Sequence, residues 1–124
     1  MKVHGVVWVG TRTPAFAETL AFFRDLLGID LQEVAPGFGW SRMPNTSQLE
    51  IFGPDDVDHL EFTTGPVPEF LVDDLQSAMQ ELREAGVEIL GRPGMEDDGK
   101  SGWVHFRAPD GNVYGVTDGP QYRR

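Results

Sequence analysis

The sequence contains no cysteine, which excludes disulfide bonds and thiol chemistry. Basic residues are few as well: 10 lysines and arginines stand against 20 aspartates and glutamates, and the formal net charge is −10. Nucleic acids and anionic membrane surfaces attract basic proteins, so we expect neither as a partner. No apolar run reaches the length of a transmembrane helix, and the first one is too short for a signal peptide. We therefore expect a cytoplasmic protein.

The chain does contain enough apolar residues for one folded domain. Hydrophobic residues make up 40% of its 124 residues, a length typical of a single domain. Apolar residues at helical spacing predict two helices, built on Phe16, Leu20, Phe23 and Leu27 and on Leu75, Met79 and Leu82. We expect Thr13 and Pro14 to begin the first helix and Asp73 or Asp74 to begin the second. Glycines at 28 and 86 are suited to ending them.

The two helices belong to two similar halves of the chain. Each helix follows one strand-like run and precedes three more, and the first strands and helices repeat at an offset of 59 residues. The later strands repeat at an offset of 65 residues, which aligns Arg42 with Arg107. Such self-similarity indicates an internal duplication. We predict two βαβββ modules, at about 1–53 and 66–120, joined by a connector over 54–65.

The segment RAPDGNVYGVTD (107–118) predicts the hairpin that closes the second module. The turn residues Pro-Asp-Gly at 109–111 lie between apolar runs. If these three residues form the loop, His105 pairs with Gly115. A glycine inside a strand marks a bulge or a place where another group comes close to the backbone.

Two βαβββ modules in one short chain resemble the vicinal oxygen chelate superfamily, which includes glyoxalases, bleomycin-resistance proteins and extradiol dioxygenases. Three segments carry the resemblance: WVGTRT…FAETLAFFRDLLGIDL, FLVDDLQSAMQELREAGVEIL and the hairpin FRAPDGNVYGV. It implies an α+β fold for a single domain over 1–124, with a curved eight-stranded mixed sheet around a central cavity and helices outside. It also implies a homodimer, and it does not imply one reaction.

The resemblance further implies where a metal ion would bind. Members that use a metal hold it with four ligands, a His on the first strand and a Glu or His on the last strand of each module. Those positions hold Trp8 and Glu50 in the first module, and Val67 and Gly115 in the second. Indole, isopropyl and hydrogen are not ligands, and one carboxylate does not hold a divalent cation. We therefore expect no metal and no cofactor at this site.

Strand alternation predicts which side chains face the cavity. We expect Trp8, Trp40, Arg42, Glu50 and Phe52 from the first module, and Val67, Glu69, Trp103, His105, Arg107 and Gly115 from the second. Aromatic walls with few polar groups are typical of a small-molecule site. We expect open space over Gly115 to leave room for a ligand beside His105. His59 and the acidic run at 96–98 are expected on the surface.

Two classes of function fit these residues, and whether the chain is an enzyme stays open. The first is a protein like the glyoxalases and bleomycin-resistance proteins that lacks the usual metal ligands and binds a small organic molecule. The alternative is a lyase, isomerase or dioxygenase in which Glu50 and His105 act as acid and base. It would work with or without an unorthodox metal site, such as Glu50 with His105 and His4. Loss of turnover with retained binding in Glu50→Gln or His105→Ala would separate the two.

Overall fold

The computed structural model describes residues 1–123, which form one eight-stranded mixed sheet with helices on one side. The first module contains β1 (Val3–Arg12), α1 (Phe16–Ala21), a π-helical turn (Phe22–Leu26), β2 (Gln32–Ala35), β3 (Phe38–Arg42) and β4 (Gln48–Phe52). The second contains β5 (Val67–Val72), α2 (Leu75–Glu84), β6 (Ile89–Met95), β7 (Gly102–Arg107) and β8 (Val113–Thr117), and a 3-10 turn follows at Pro120–Tyr122. The predicted α+β fold with two βαβββ modules is confirmed.

The strand order β2-β3-β4-β1-β5-β8-β7-β6 joins the modules through their first strands. β1 is antiparallel to β5, whereas β1 is parallel to β4 and β5 is parallel to β8. The last strand of each module therefore lies beside its own first strand. As a result, the four positions that the resemblance gives for metal ligands (8, 50, 67 and 115) lie on the four central strands of the sheet.

The first helix differs from its prediction at both ends. It begins two residues later than Pro14, because the Thr13 hydroxyl accepts a hydrogen bond from the Ala15 N–H and forms a turn before the helix. A π-helical turn follows the α-helical part, and Leu27 is 55% exposed instead of packed. Gly28 then ends the helix with a φ of 70°, which is the predicted use of this glycine.

The second helix follows its prediction closely. Asp74 caps its start, and the Asp74 carboxylate accepts a hydrogen bond from the Ser77 N–H at 2.8 Å. Gly86 follows its end with a φ of 79°. No helix within residues 1–123 combines the length and the apolar character that crossing a membrane requires.

The two sides of the sheet bury different side chains. The side that faces the helices carries two apolar clusters, one built on Leu20, Leu31, Leu49 and Ile51 and the other on Val72, Leu75, Met79, Val104 and Val116. The opposite side carries a third cluster, which includes Trp8, Phe52, Phe62, Val67 and Tyr122. This third cluster forms the floor of the cavity described below.

The closing hairpin has the predicted pairing. The Ala108 N–H donates to the Asn112 carbonyl at 3.0 Å, and the Gly111 N–H donates to the Ala108 carbonyl at 2.9 Å. The loop therefore has three residues, and His105 pairs with Gly115. This register matters for the site, because a shift of one residue would have turned His105 to the side of the helices.

Candidate functional site

The side of the sheet opposite the helices encloses a cavity of about 750 Å³. Seven of the predicted residues line it: Trp8, Trp40, Glu50, Phe52, Glu69, Trp103 and His105. All three tryptophans of the chain are among them. Both the size and the aromatic lining are in the range found for sites that bind small molecules.

Four of the predicted ligand-binding residues do not line the cavity: Arg42, Val67, Arg107 and Gly115. Val67 is completely buried in the floor cluster. Arg42 donates from Nη1 to the Gln121 carbonyl at 3.1 Å, and Arg107 donates from Nη1 to the Gly111 carbonyl at 2.8 Å. Both arginines stand at strand ends, where a long side chain reaches backbone carbonyls and solvent outside the apolar cavity.

The predicted open space over Gly115 is filled, so that prediction was wrong. A Cβ atom built on Gly115 would lie 2.8 Å from Glu69 Cγ, 2.8 Å from His105 Cδ2 and 3.0 Å from the Val104 carbonyl oxygen. The glycine therefore lets the Glu69 and His105 side chains cross β8 closely. It leaves no room for a ligand at that point.

Trp8 and Glu50 form the polar contact of the first module. The Trp8 indole N–H donates a hydrogen bond to Glu50 Oε2. The Trp8 ring lies over Gly10, at the position that a Cβ atom of Gly10 would occupy, and Gly10 is the direct partner of Glu50 across β1 and β4. Glu50 Oε1 accepts no hydrogen bond from any residue within 1–123, so one oxygen is available to the cavity.

The environment of Glu50 makes its carboxyl group titrate near neutral pH. Burial raises the pKa of Glu50 from 4.5 to about 7, with the carboxylates of Glu69 and Glu96 adding to the rise and the hydrogen bond from Trp8 opposing it. A carboxyl group with this pKa can both accept and release a proton near pH 7.

His105 in the second module is held between two carboxylates. Its Nε2 lies 2.6 Å from Glu69 Oε2, and its Nδ1 lies 3.3 Å from Glu61 Oε1. His105 and Glu69 are both 3% exposed. A carboxyl oxygen beside each ring nitrogen favours the form of His105 that carries a hydrogen on both nitrogens. The group is a buried imidazolium between two acids.

The pKa values agree with a charged imidazole. Burial lowers the pKa of His105, but the hydrogen bonds and charges of Glu61 and Glu69 outweigh burial and raise this pKa to about 9. For Glu61, burial raises the pKa and the interaction with His105 lowers it, and the net change is a decrease. Glu69 is more deeply buried, so for Glu69 the effect of burial is larger than that of His105 and its pKa rises. With a pKa of about 9, His105 is protonated at neutral pH and is not available there as a base.

The connector between the modules forms one wall of the cavity, which sequence reasoning missed. His59 was expected on the surface, but its ring stacks on Phe52 with the two ring centroids 3.7 Å apart, and it lines the cavity. His59 Nδ1 lies 3.0 Å from Asp56 Oδ1. Phe62 packs edge-on against the His105 ring at 4.8 Å. Of the apolar residues in the stretch DDVDHLEF, Phe62 is buried whereas Val57 and Leu60 are exposed, so its composition gave no clear signal that this segment packs inward.

The acidic run at 96–98 was also expected on the surface, but part of it faces the cavity. Strand β6 extends to Met95 and carries Glu96 to the cavity, where Glu96 accepts a hydrogen bond from the Gln121 side chain at 2.9 Å. Tyr122, which is 7% exposed, closes the cavity beside them. The 3-10 turn near the described end of the chain thus adds two lining residues that the strand pattern could not indicate.

Of the four positions that the family resemblance gives for metal ligands, Trp8 and Glu50 line the cavity and Val67 and Gly115 do not. Within residues 1–123, no three His, Asp or Glu side chains are arranged so that they could hold a metal ion. Glu50 is the one carboxylate at these positions, and one of its oxygens already accepts the Trp8 N–H.

Comparison with known proteins agrees with this fold. The sequence matches the family described as "Glyoxalase/Bleomycin resistance protein/Dioxygenase superfamily" over residues 5–115. No curated protein matches it. The structure is similar to methylmalonyl-CoA epimerase from Mycobacterium tuberculosis, with a TM-score of 0.66 and 21% identity over 93% of this chain and 87% of that chain.

Two further structures are similar at lower identity. One is a glyoxalase/bleomycin resistance protein/dioxygenase superfamily member from Vibrio splendidus 12B01, with a TM-score of 0.64 and 14% identity over 88% of this chain and 94% of that chain. The other is a variant of Streptomyces coelicolor methylmalonyl-CoA epimerase in complex with 2-nitronate-propionyl-CoA, with a TM-score of 0.64 and 14% identity over 94% and 97% of the two chains. From the family match over most of its length, the chain belongs to the glyoxalase/bleomycin resistance protein/dioxygenase superfamily.

Proposed function

We propose that this chain binds a small organic molecule in its aromatic cavity, and that it does so without a metal ion at the family's ligand positions. The observation that carries the proposal is the cavity of about 750 Å³, lined by all three tryptophans, into which Glu50 presents one free carboxylate oxygen. Apolar walls supply most of the binding free energy in such sites, and one or two polar groups orient the ligand.

The residues at the metal-ligand positions do not fit a metal ion, which supports the second part of the proposal. Trp8, Val67 and Gly115 offer no donor atom, and the Glu50 carboxylate is partly used by the Trp8 indole. The imidazolium of His105 lies directly against Gly115. Its positive charge already balances Glu69 and would repel a divalent cation placed beside it.

An uncharged fluorescent probe, 6-propionyl-2-dimethylaminonaphthalene, tests the proposal, because its emission shifts to the blue in an apolar site. We expect saturable binding of one probe per chain that neither EDTA nor added Zn²⁺ or Ni²⁺ changes. Trp40→Ala should weaken binding about fivefold, since a lost aromatic contact costs about 1 kcal/mol. Phe22→Ala is the matched control, because Phe22 is an exposed aromatic residue that does not line the cavity. Equal effects of the two substitutions, or binding that requires metal, would contradict the proposal.

Proton transfer is a second candidate function, and the free oxygen of Glu50 is the observation that favours it. With a pKa of about 7, Glu50 could take a proton from a bound carbon acid and return it, while His105 stays a fixed positive charge. We expect the protein then to accelerate deuterium uptake from D₂O into 2-tetralone, with a rate that rises through pH 7. Glu50→Gln should abolish this acceleration and leave binding of the naphthalene probe intact. Acceleration that survives in the variant would exclude Glu50 as the base.

The homodimer implied by the family resemblance is retained as part of the proposal. Light scattering at micromolar concentration measures it directly. A mass equal to that of one chain would contradict it.

A further inference from the structure

The cavity has a strongly acidic lining. Six carboxylic acids line it, three on the strands and at their ends and three on the connector: Glu50, Glu69, Glu96, Asp55, Asp56 and Asp58. Among the lining residues within 1–123 there is no lysine and no arginine. The buried imidazolium of His105 is already paired with Glu61 and Glu69. A molecule entering the cavity therefore meets an excess of negative charge.

The carboxylates repel one another across the cavity. Burial is the largest cause of the raised pKa of Glu50, and repulsion by Glu69 and Glu96 raises it further. Burial also raises the pKa of Tyr122, and the charges of Glu69, Glu50 and Glu96 add to that rise. On the connector, Arg12 Nε lies 3.6 Å from Asp56 Oδ2 and balances that one aspartate. Much of the acidic lining is thus left without a protein counter-charge.

Two of the tryptophan rings that line the same space have no aromatic partner. Trp40 on β3 and Trp103 on β7 are half-buried and line the cavity, and neither ring contacts another aromatic ring within residues 1–123. The face of an indole ring is negative and is the strongest aromatic partner of a cation in proteins. The carboxylates and the indole rings that line the cavity therefore favour the same kind of ligand.

We infer that the ligand of this cavity is an organic cation: an amine, a quaternary ammonium or a cationic nitrogen heterocycle carried on an apolar body. The inference rests on the proposed function, because it names the ligand class of the same cavity. The apolar body packs against Trp40 and Trp103, and the positive group lies near Glu96 and the free oxygen of Glu50. Burial of a lone cation is costly, and these acids supply the partners that offset the cost.

The ligand of one structural neighbour is a useful contrast. That epimerase variant is in complex with 2-nitronate-propionyl-CoA, and coenzyme A esters carry several phosphate charges. Phosphates are bound by arginine, lysine or backbone N–H groups at helix ends. Because the cavity lining here has no arginine or lysine within residues 1–123, the acidic lining would repel such an anion. The shared fold therefore does not indicate that this chain binds the same class of ligand.

Three small probes of similar shape and different charge test the inference. They are benzyltrimethylammonium, its uncharged carbon isostere neopentylbenzene, and benzenesulfonate. Intrinsic tryptophan fluorescence reports binding, because all three tryptophans line the cavity. We expect the cation to bind about tenfold more tightly than the isostere and the anion to show no binding. Raising the salt concentration should weaken binding of the cation and leave the isostere unaffected.

Charge-removing variants locate the effect in the cavity. Measured at pH 8, Glu96→Gln and Glu50→Gln should each weaken binding of the cation about fivefold, as expected for one charge nearby, and leave the isostere unchanged. The matched control is Glu84→Gln, which removes the same charge from an exposed position on α2, where the Glu84 side chain contacts Gln80. This control should leave the affinity for the cation unchanged.

Two outcomes would overturn the inference. Equal affinities for the cation and its isostere would refute the ligand class and leave the proposed function standing, since the cavity would still bind an apolar molecule. Absence of any fluorescence response to benzyltrimethylammonium would also refute it. The naphthalene probe tests the proposed function separately, so failure of the cation and failure of the cavity can be told apart.

Discussion

The first and second modules place a glycine and a glutamate on opposite strands. In the first module Gly10 is on the first strand and Glu50 on the last, whereas in the second Glu69 is on the first strand and Gly115 on the last. In both modules the glycine is the direct partner of the glutamate across two parallel strands. The missing side chain leaves space for a ring that reaches the glutamate.

The ring differs between the modules, and this difference decides what the glutamate can do. The Trp8 indole is a neutral donor with a single N–H, so Glu50 keeps a free oxygen and a carboxyl group that titrates near pH 7. The His105 imidazolium is charged, is buried, and engages Glu61 as well as Glu69. The same sheet geometry therefore produces one carboxyl group that is open to the cavity and one that is fixed in a structural ion pair.

Substitutions of the two rings should separate the two modules most clearly. We expect His105→Ala to lower the free energy of unfolding by about 4 kcal/mol, because it leaves the buried Glu69 without its partner. Trp8→Phe keeps an apolar ring over Gly10 and loses one hydrogen bond, so it should cost about 1 kcal/mol. Urea denaturation at pH 7 measures both values. Equal losses would mean that the two ring–glutamate pairs are equivalent.

The glycine of the second module offers the next largest effect. In Gly115→Ala the new methyl group must displace the Glu69 and His105 side chains, which are locked to each other, or the backbone of Val104. We expect a loss of about 3 kcal/mol in the free energy of unfolding, typical of overpacking at a buried position. Gly115→Glu should be worse than Gly115→Ala. A loss of about 1 kcal/mol or less for alanine would restore the interpretation of Gly115 as open space.

The parts of the structure that follow from local rules could be predicted from the sequence. Helical spacing located both helices, and side-chain alternation with a three-residue turn placed His105 opposite Gly115. These rules predict on which face of the sheet a side chain lies. They do not state how far it reaches, and for this reason Arg42 and Arg107 were assigned to a cavity that they do not enter.

The remaining parts depend on contacts between distant segments. The space over Gly115 is filled by side chains from two other strands, which are 46 and 10 residues away in the chain. The connector has no periodicity, so no pattern predicted that His59 lines the cavity and that Phe62 packs against His105. The charge state of His105 follows from Glu69 and from Glu61, and no local rule gives the position of Glu61.

The carboxyl group of Glu50, in the first module, should make the stability of the protein depend on pH. The pKa of Glu50 is raised by folding from 4.5 to about 7, so folding favours its protonated form. Stability from this group is therefore full below pH 4.5 and is lost as the pH rises to 7, by about 2 kcal/mol once solvent in the cavity is allowed for.

Glu50→Gln removes this titration and keeps an oxygen for the Trp8 N–H. We expect the variant to be about 2 kcal/mol more stable than the natural protein at pH 8 and equally stable at pH 4.5. Thermal melts over this range test the comparison directly. A difference that does not change with pH would show that Glu50 is not a desolvated carboxyl group.

The smallest effect concerns Glu61, the outer partner of His105. The Glu61 side chain is 16% exposed and its contact with Nδ1, at 3.3 Å, is longer than the Glu69 contact. Glu61→Gln keeps an oxygen that can accept the Nδ1–H, so we expect a loss of only about 1 kcal/mol at pH 7. Because the pKa of His105 is raised from 6.5 to about 9, its stabilising effect is full below pH 6.5 and lost as the pH rises through 9.

The difference between the natural protein and Glu61→Gln should therefore vanish above pH 9, and NMR titration should show a lower pKa for His105 in the variant. The control is Asp73→Asn, which alters the exposed His4–Asp73 pair and should cost no measurable stability. An unchanged pKa of His105 would mean that Glu69 alone holds the imidazolium. Each module would then depend on a single ring–carboxylate contact, and the contrast between them would come from the charge of the ring alone.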